Sequence, residues 1–121
     1  MPGDSQGSQM IRTPHGIEID ANRHAIKRGD IEVVMNAHKA WRHYEPFVRF
    51  KITRHLLLAG HSTAEQVFDG VYGHRADGGP NQGPKIIEVH FIHLKKIWVK
   101  LGLQLAREKR GGKLHYWLVS T

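Results

Sequence analysis

The chain has 121 residues, 40% of them hydrophobic, no cysteine and a formal charge of +7. This length and apolar content indicate one domain with its own core, and the lack of cysteine excludes both a disulfide framework and a thiolate metal site. The positive charge favours nucleic acid or another anionic surface as partner. No apolar run nears the roughly 20 residues of a membrane span, and no signal-peptide pattern is present, so we expect a cytoplasmic protein.

The first segments of the chain are predicted to be a polar leader and a small sheet. Residues 1–15 are expected to form a disordered leader, because Met1 to Met10 offers almost nothing to bury. The domain is then expected to span residues 16–121. It begins with short extended pieces separated by residue types that suit turns. This pattern predicts an antiparallel sheet with strands at Ile17–Ile19, His24–Lys27 and Ile31–Met35.

Two helices are expected next. A proline suits the first turn of a helix and a glycine its end, so the first helix is predicted over Pro46–Ala59. Its buried face is expected to carry Phe47, Phe50, Arg54, Leu57 and Leu58. A second helix is predicted over Ser62–Val71, with Ser62 as N-cap and Glu65 reaching back to the cap amide. A loop rich in glycine and proline follows, over Gly73–Pro84.

The third helix is predicted over Lys85–Leu101, because apolar residues recur there at spacings of four and three. The stripe expected in the core is Ile87, Phe91, Leu94, Trp98 and Leu101. The opposite side would carry Lys85, Val89, Ile92, His93, Lys96 and Lys100. An ordinary solvated face would carry acidic as well as basic residues, and it would not place aliphatic side chains between lysines. This face is therefore predicted to contact an anionic partner that also has apolar groups.

The C-terminal part is predicted to be a β-hairpin with a cationic tip. Two alternating stretches flank the basic segment Arg107–Lys113, which contains two adjacent glycines. A small antiparallel sheet, three helices and a hairpin wing together describe an α+β winged helix-turn-helix domain, whose third helix enters the major groove of DNA. The lysines would then meet phosphates, His93 would meet phosphates or base edges, and Val89 or Ile92 would contact thymine methyl groups.

Several segments resemble the DNA-binding domain of OmpR/PhoB-type response regulators. They are GIEIDANRHAIKRGDIEV, STAEQVFDGVYG, the longer VYGHRADGGPNQGPKIIEVHFIHLKKIWVKLGL and the closing Tyr116-Trp117-Leu118. The resemblance implies a sequence-specific transcriptional regulator that binds double-stranded DNA, often as a homodimer on repeated half-sites. It also implies contact with RNA polymerase through the loop Gly73–Pro84, in a bacterial, nucleoid-associated or phage-encoded setting.

The same resemblance implies which residues contact DNA. On the third helix these are Lys85, Val89, His90, Ile92, His93 and Lys95, beside Lys96 and Lys100 on the exposed face. In the wing they are Arg107, Lys109, Arg110, Lys113 and Tyr116.

Departures from the family leave a second function open. We expect the domain to stand alone, without the receiver domain of such regulators, and its wing looks longer than usual. Ile92 and His93 occupy positions that commonly hold arginine, and Val33–Tyr44 looks like an insertion. The alternative is a winged-helix interaction module that acts on RNA polymerase or another regulator without reading bases.

An enzyme is not expected. His90 and His93 have a spacing that could bring two imidazoles to one metal ion, but no third ligand follows from the sequence. The glycines of the loop are not followed by the Lys-Ser/Thr pair of a nucleotide-binding loop. The sequence therefore predicts neither a metal nor a cofactor.

Overall fold

The computed structural model describes residues 10–13, 15–35, 47–73 and 83–121. Most of the loop Gly73–Pro84, and the Val33–Tyr44 segment beyond Met35, lie outside these residues. The described chain has an α+β fold with strands β1 (Met10–Arg12), β2 (Glu18–Asp20), β3 (Ala25–Arg28), β4 (Ile31–Val34), β5 (Ser62–Thr63), β6 (Leu103–Arg110) and β7 (Lys113–Ser120), and helices α1 (Val48–Ala59), α2 (Ala64–Tyr72) and α3 (Lys85–Lys100). None of the described helices has the length and apolar character needed to cross a membrane.

The N-terminal sheet is an antiparallel meander in the order β1-β2-β3-β4. Its three predicted strands are confirmed to within two residues. The predicted leader is wrong for its last part, because β1 lies inside it and aligns Ile11 with Ile19. Ile11 packs against the core of a sheet whose Ile19 and Ile26 are fully buried, and three residues of β1 pair with β2. Residues 1–9 lie outside the described chain.

Helix α1 is confirmed, but its predicted face is partly wrong. Leu58 is 50% exposed and Arg54 is only half-buried. The buried residues are instead Val48, Phe50, Ile52, Thr53, Leu56 and Leu57. The helix contacts α2, α3 and β7, so it buries a wider arc than a single stripe.

Helix α2 is also confirmed, with a cap one residue later than predicted. Thr63, not Ser62, is the N-cap: its hydroxyl accepts from the backbone N–H of Gln66 at 3.2 Å, and the Gln66 side chain accepts from the Thr63 N–H at 2.9 Å. Ser62 is buried in β5, where it pairs with Tyr116. The Ser62 hydroxyl instead bonds to the Gly60 carbonyl and to His55 Nε2, so Thr63, which also pairs with β7, provides the cap.

Helix α3 holds the centre of the core. Its predicted stripe is confirmed, since Ile87, Leu94 and Trp98 are 0% exposed and Phe91 is 3% exposed. The Trp98 indole N–H donates to the Thr53 hydroxyl on α1 at 3.0 Å, which satisfies a buried polar group across the helix pair.

Arg28 ties the N-terminal sheet to the C-terminal end of α3. Its guanidinium donates to the carbonyls of Leu101 and Gly102, both at 3.0 Å, and to the Ser120 hydroxyl. A cation here interacts favourably with the partial negative charge at a helix C-terminus. One side chain therefore joins β3, α3 and the end of β7.

The predicted C-terminal hairpin is confirmed, and it is longer than its apolar alternation indicated. Strands β6 and β7 pair from Leu103 with Ser120 to Arg110 with Lys113, so most of the basic segment lies in the strands. Gly111 and Gly112 form the turn with φ of 58° and 82°. Positive φ at both positions is what a two-residue turn with the twist of its strands needs, and glycine adopts it without strain. Strand β5 completes a three-stranded sheet in the order β5-β7-β6.

Candidate nucleic-acid interface

The exposed side of α3 is rich in lysine. Its exposed residues are Lys85, Glu88, Val89, Ile92, His93, Lys95, Lys96, Val99 and Lys100. Four of these nine carry a positive charge and one carries a negative charge. The aliphatic members are well exposed, with Ile92 at 64% and Val99 at 72%. The predicted exposed side is therefore confirmed, with Glu88, Lys95 and Val99 as additions.

The carboxylate on this side of the helix is bonded to the hairpin. Glu88 Oε1 accepts from the Tyr116 hydroxyl at 2.9 Å, which joins α3 to β7. Burial of the phenol and its hydrogen bond to Glu88 both raise the pKa of Tyr116, so the phenol stays protonated as the donor. The charge of Glu88 is thus directed toward the base of the hairpin.

The two faces of the hairpin carry different cations. Strand alternation places Arg107 opposite Tyr116 and Lys109 opposite Leu114, on the side of the sheet that faces α3. Arg110 lies on the other side, where its guanidinium is 2.8 Å from Glu108 and 5.9 Å from the centre of the Trp117 ring. Arg107 and Lys109 are therefore directed toward the helix, whereas Arg110 is directed away from it.

A cleft separates α3 from the hairpin. One cavity of about 460 Å³ is bordered by the N-terminal ends of α2 and α3 and the tip of the hairpin. A second, of about 360 Å³, lies farther along α3 beneath Arg107. Both are lined by Glu88, Leu114 and Tyr116, so the two cavities adjoin.

The charges along this cleft are mostly positive. Its cations are Lys85, Lys95, Arg107, Lys109 and Lys113. Its carboxylates are Glu88 and Glu65, and Glu65 lies 3.8 Å from Lys113 across a solvent-exposed ion pair. An exposed pair of this length is weak and easily exchanged for another anion. Five cations and two carboxylates therefore line the cleft, which gives it a net positive charge.

The structure exposes eleven of the thirteen predicted contact residues. They are Lys85, Val89, Ile92, His93, Lys95, Lys96, Lys100, Arg107, Lys109, Arg110 and Lys113. Two predictions are corrected: His90 is 2% exposed and Tyr116 is 4% exposed. His90 follows the helical period toward the core, and Tyr116 faces α3 beneath the hairpin, so neither presents the surface that a direct contact requires.

Two exposed apolar residues, one on α3 and one in the hairpin, escaped the sequence prediction. Val99 lies seven residues after Ile92, a helical repeat that could have revealed it. Leu114, which is 38% exposed, alternates in step with the buried Tyr116 and Leu118 and lines the cleft.

Within the described residues, no group of three histidine, aspartate or glutamate side chains is arranged to hold a metal ion. Comparison with protein-family models, with curated proteins and with solved structures finds no match for this chain.

Proposed function

We propose that this chain is a winged-helix domain, similar to those of OmpR/PhoB-type regulators, that binds double-stranded DNA sequence-specifically and regulates transcription. Helix α3 enters the major groove, which has the width to admit an α-helix, and the hairpin follows the adjacent backbone or minor groove. The role is one of binding rather than catalysis.

The observation that carries this proposal is the pairing of two cationic surfaces across one cleft. Lys85 and Lys95 of α3 lie on one side of it and Arg107 and Lys109 on the other. A protein that contacts phosphates from two elements fixes its orientation on the duplex, while side chains between those contacts can meet base edges. The exposed residues of α3 that lie between its lysines are the ones positioned to meet base edges.

The test is selection from randomised duplexes followed by binding measurements at several salt concentrations. Four to six phosphate contacts would give a slope of log affinity against log salt of about −4 to −5, because each contact releases condensed counterions. Selection should also enrich a defined site. Affinity that is flat between low and physiological salt, or tighter binding of single strands, would overturn the proposal.

A second candidate function is favoured by the exposed aliphatic residues. Ile92 and Val99 lie two helical turns apart, and both leave most of their surface in water. Such a strip suits the alternative, an interaction module that binds RNA polymerase or another regulator. In that case Ile92→Ala would leave duplex affinity and sequence preference unchanged and would weaken binding of the protein partner.

Several further properties extend the proposal. The domain acts in the cytoplasm, as a homodimer on repeated half-sites, with the loop Gly73–Pro84 toward RNA polymerase. Sedimentation of the protein with a two-half-site duplex tests the stoichiometry: two copies per duplex is the expected result, and one copy would contradict it.

A further inference from the structure

The exposed side of α3 has few of the side chains that read bases by paired hydrogen bonds. Residues 85–100 contain no arginine, asparagine, glutamine, serine or threonine. Guanine is commonly read by a bidentate arginine or lysine, and adenine by a bidentate asparagine or glutamine. The remaining polar groups are lysines, His93, and a Glu88 carboxylate already bonded to Tyr116. With the lysines engaged by phosphates, base discrimination by this helix depends largely on other contacts.

Two aliphatic side chains occupy the middle of that surface. Val89 is 40% exposed and Ile92 is 64% exposed, and they lie about one helical turn apart. Lys85 precedes Val89 by four residues and Lys96 follows Ile92 by four, so a lysine flanks the pair at each end of one helix face. Lysines that bind phosphates would place the pair over the base edges between them.

Both side chains are β-branched, which restricts their side-chain rotation in a helix. Their methyl groups are therefore held in place before a partner binds, and little rotamer freedom is lost on contact. The only methyl group in the major groove of unmodified DNA is that of thymine.

We infer that α3 discriminates duplexes chiefly by the 5-methyl group of thymine, packed against Val89 and Ile92. This inference rests on the proposed function, because it requires α3 to lie in the major groove. It assigns the lysines to phosphates and leaves sequence preference to apolar contact. Sites that this protein prefers should accordingly contain thymines at fixed positions, one for each aliphatic residue.

The experiment replaces each thymine of the selected duplex, one at a time, by deoxyuridine. This change removes the methyl group and keeps every hydrogen-bonding group of the base pair. We expect binding to weaken about fourfold at one or two positions, as expected for the loss of one buried methyl group, and to stay unchanged elsewhere.

Variants then connect the effect to the helix. In Ile92→Ala, the difference in affinity between the thymine duplex and the deoxyuridine duplex should shrink toward zero at one position. Affinity for the deoxyuridine duplex should stay near that of the unaltered protein. Ile92→Val should keep part of the difference. Leu58→Ala is the matched control, since Leu58 is an aliphatic residue on α1 that is 50% exposed and lies outside the cleft. It should leave the difference intact.

The outcomes separate this inference from the proposed function. Salt-dependent duplex binding with equal affinity for thymine and uridine at every position would overturn the inference and leave DNA binding standing. A difference that survives in both Val89→Ala and Ile92→Ala would likewise overturn it. Absence of duplex binding altogether would overturn the proposed function itself.

Discussion

The two sides of α3 are both rich in apolar residues, yet they differ in what surrounds them. On one side Leu94 and Trp98 are 0% exposed, whereas on the other Ile92 is 64% and Val99 is 72% exposed. The buried side stabilises the fold through apolar contact and the Trp98 hydrogen bond. The exposed side contributes little to folding, since its surface stays in water. Burial, and not hydrophobicity, separates the residues that hold the domain from those available to a partner.

The largest expected effect tests the buried side directly. Leu94→Ala removes a fully buried side chain and leaves a cavity, so we expect the free energy of unfolding to fall by about 2–5 kcal/mol. Ile92→Ala, on the opposite side of the same helix, should change it by no more than about 0.5 kcal/mol. Urea unfolding of both variants measures the difference. A loss of less than about 1 kcal/mol for Leu94→Ala would contradict the assignment of Leu94 to the core.

The next effect concerns the polar group within that buried side. Thr53→Val keeps the shape of the side chain but removes the acceptor of the Trp98 indole, whose N–H then has no hydrogen bond to Thr53. A buried donor without its hydrogen bond lowers the free energy of unfolding by about 1–3 kcal/mol, and urea unfolding measures this loss. Thr53→Ser is the comparison, because it keeps the hydroxyl and loses only a buried methyl group, at a cost of about 0.8 kcal/mol. Equal stability of the valine variant and the unaltered protein would mean that this bond contributes nothing net.

A third change compares the two faces of the hairpin. Arg107 and Lys109 face α3, so replacing both by alanine should weaken binding to all duplexes about equally and reduce the salt slope by about 1.8, for two lost phosphate contacts. Arg110→Ala should have a smaller effect, because that guanidinium is directed to Glu108 on the opposite face.

Binding titrations at two or more salt concentrations, with a selected and a scrambled duplex, make this comparison. If Arg110→Ala reduces the slope as much as the double variant, the hairpin meets DNA through its tip and both faces. A change in sequence preference from the double variant would mean that the hairpin, and not α3 alone, distinguishes bases.

The smallest expected effect is on the pH dependence of stability. The His24 ring stacks 3.5 Å from that of Phe47, and the His55 Nε2 lies 3.1 Å from the Ser62 hydroxyl. Burial lowers the pKa of both histidines below the ordinary 6.5, and the charges of Lys51 and Arg54 add to the effect at His24. The unfolded chain therefore takes up protons at a higher pH than the folded protein.

It follows that both histidines favour the folded state fully above about pH 6.5, and that stability falls as pH drops from there toward the lowered pKa values. Urea unfolding at pH 7.5, 6.5 and 5.5 should show this decline. The variant His24→Asn/His55→Gln should show less of it, and asparagine suits the positive φ of 51° at position 24. A decline of the same size in the variant would assign the effect to other groups.

Local patterns in the sequence predicted much of this fold. The period of α3 separated its buried from its exposed residues, because every member of a helical stripe is placed by the helix itself. The adjacent Gly111 and Gly112 predicted the turn of the hairpin in the same way, since the backbone of that turn needs positive φ. In both cases the relevant contacts are local.

Two errors fall where distant elements meet. Ser62 was predicted to cap α2, but it lies opposite Tyr116, 54 residues later in the chain, and its hydroxyl bonds to Gly60 and His55. The face of α1 was predicted as one stripe, but the helix is packed by α2, α3 and β7 together. His90 is a different case: it was assigned to the interface by resemblance, although the helical period by itself places it in the core.

The sequence by itself determined the three helices, three strands of the N-terminal sheet and the hairpin, but not β1 or β5. It also determined the cationic, partly apolar character of α3 and the hairpin, because composition and period are properties of neighbouring residues. Tertiary structure decided how those elements face one another. The strand register directs Arg107 and Lys109 toward α3 and Arg110 away from it, and Arg28 anchors β3 to the end of α3. These arrangements depend on which side of each strand or helix is covered by an element that is distant in the sequence. Packing of the whole core determines which side that is.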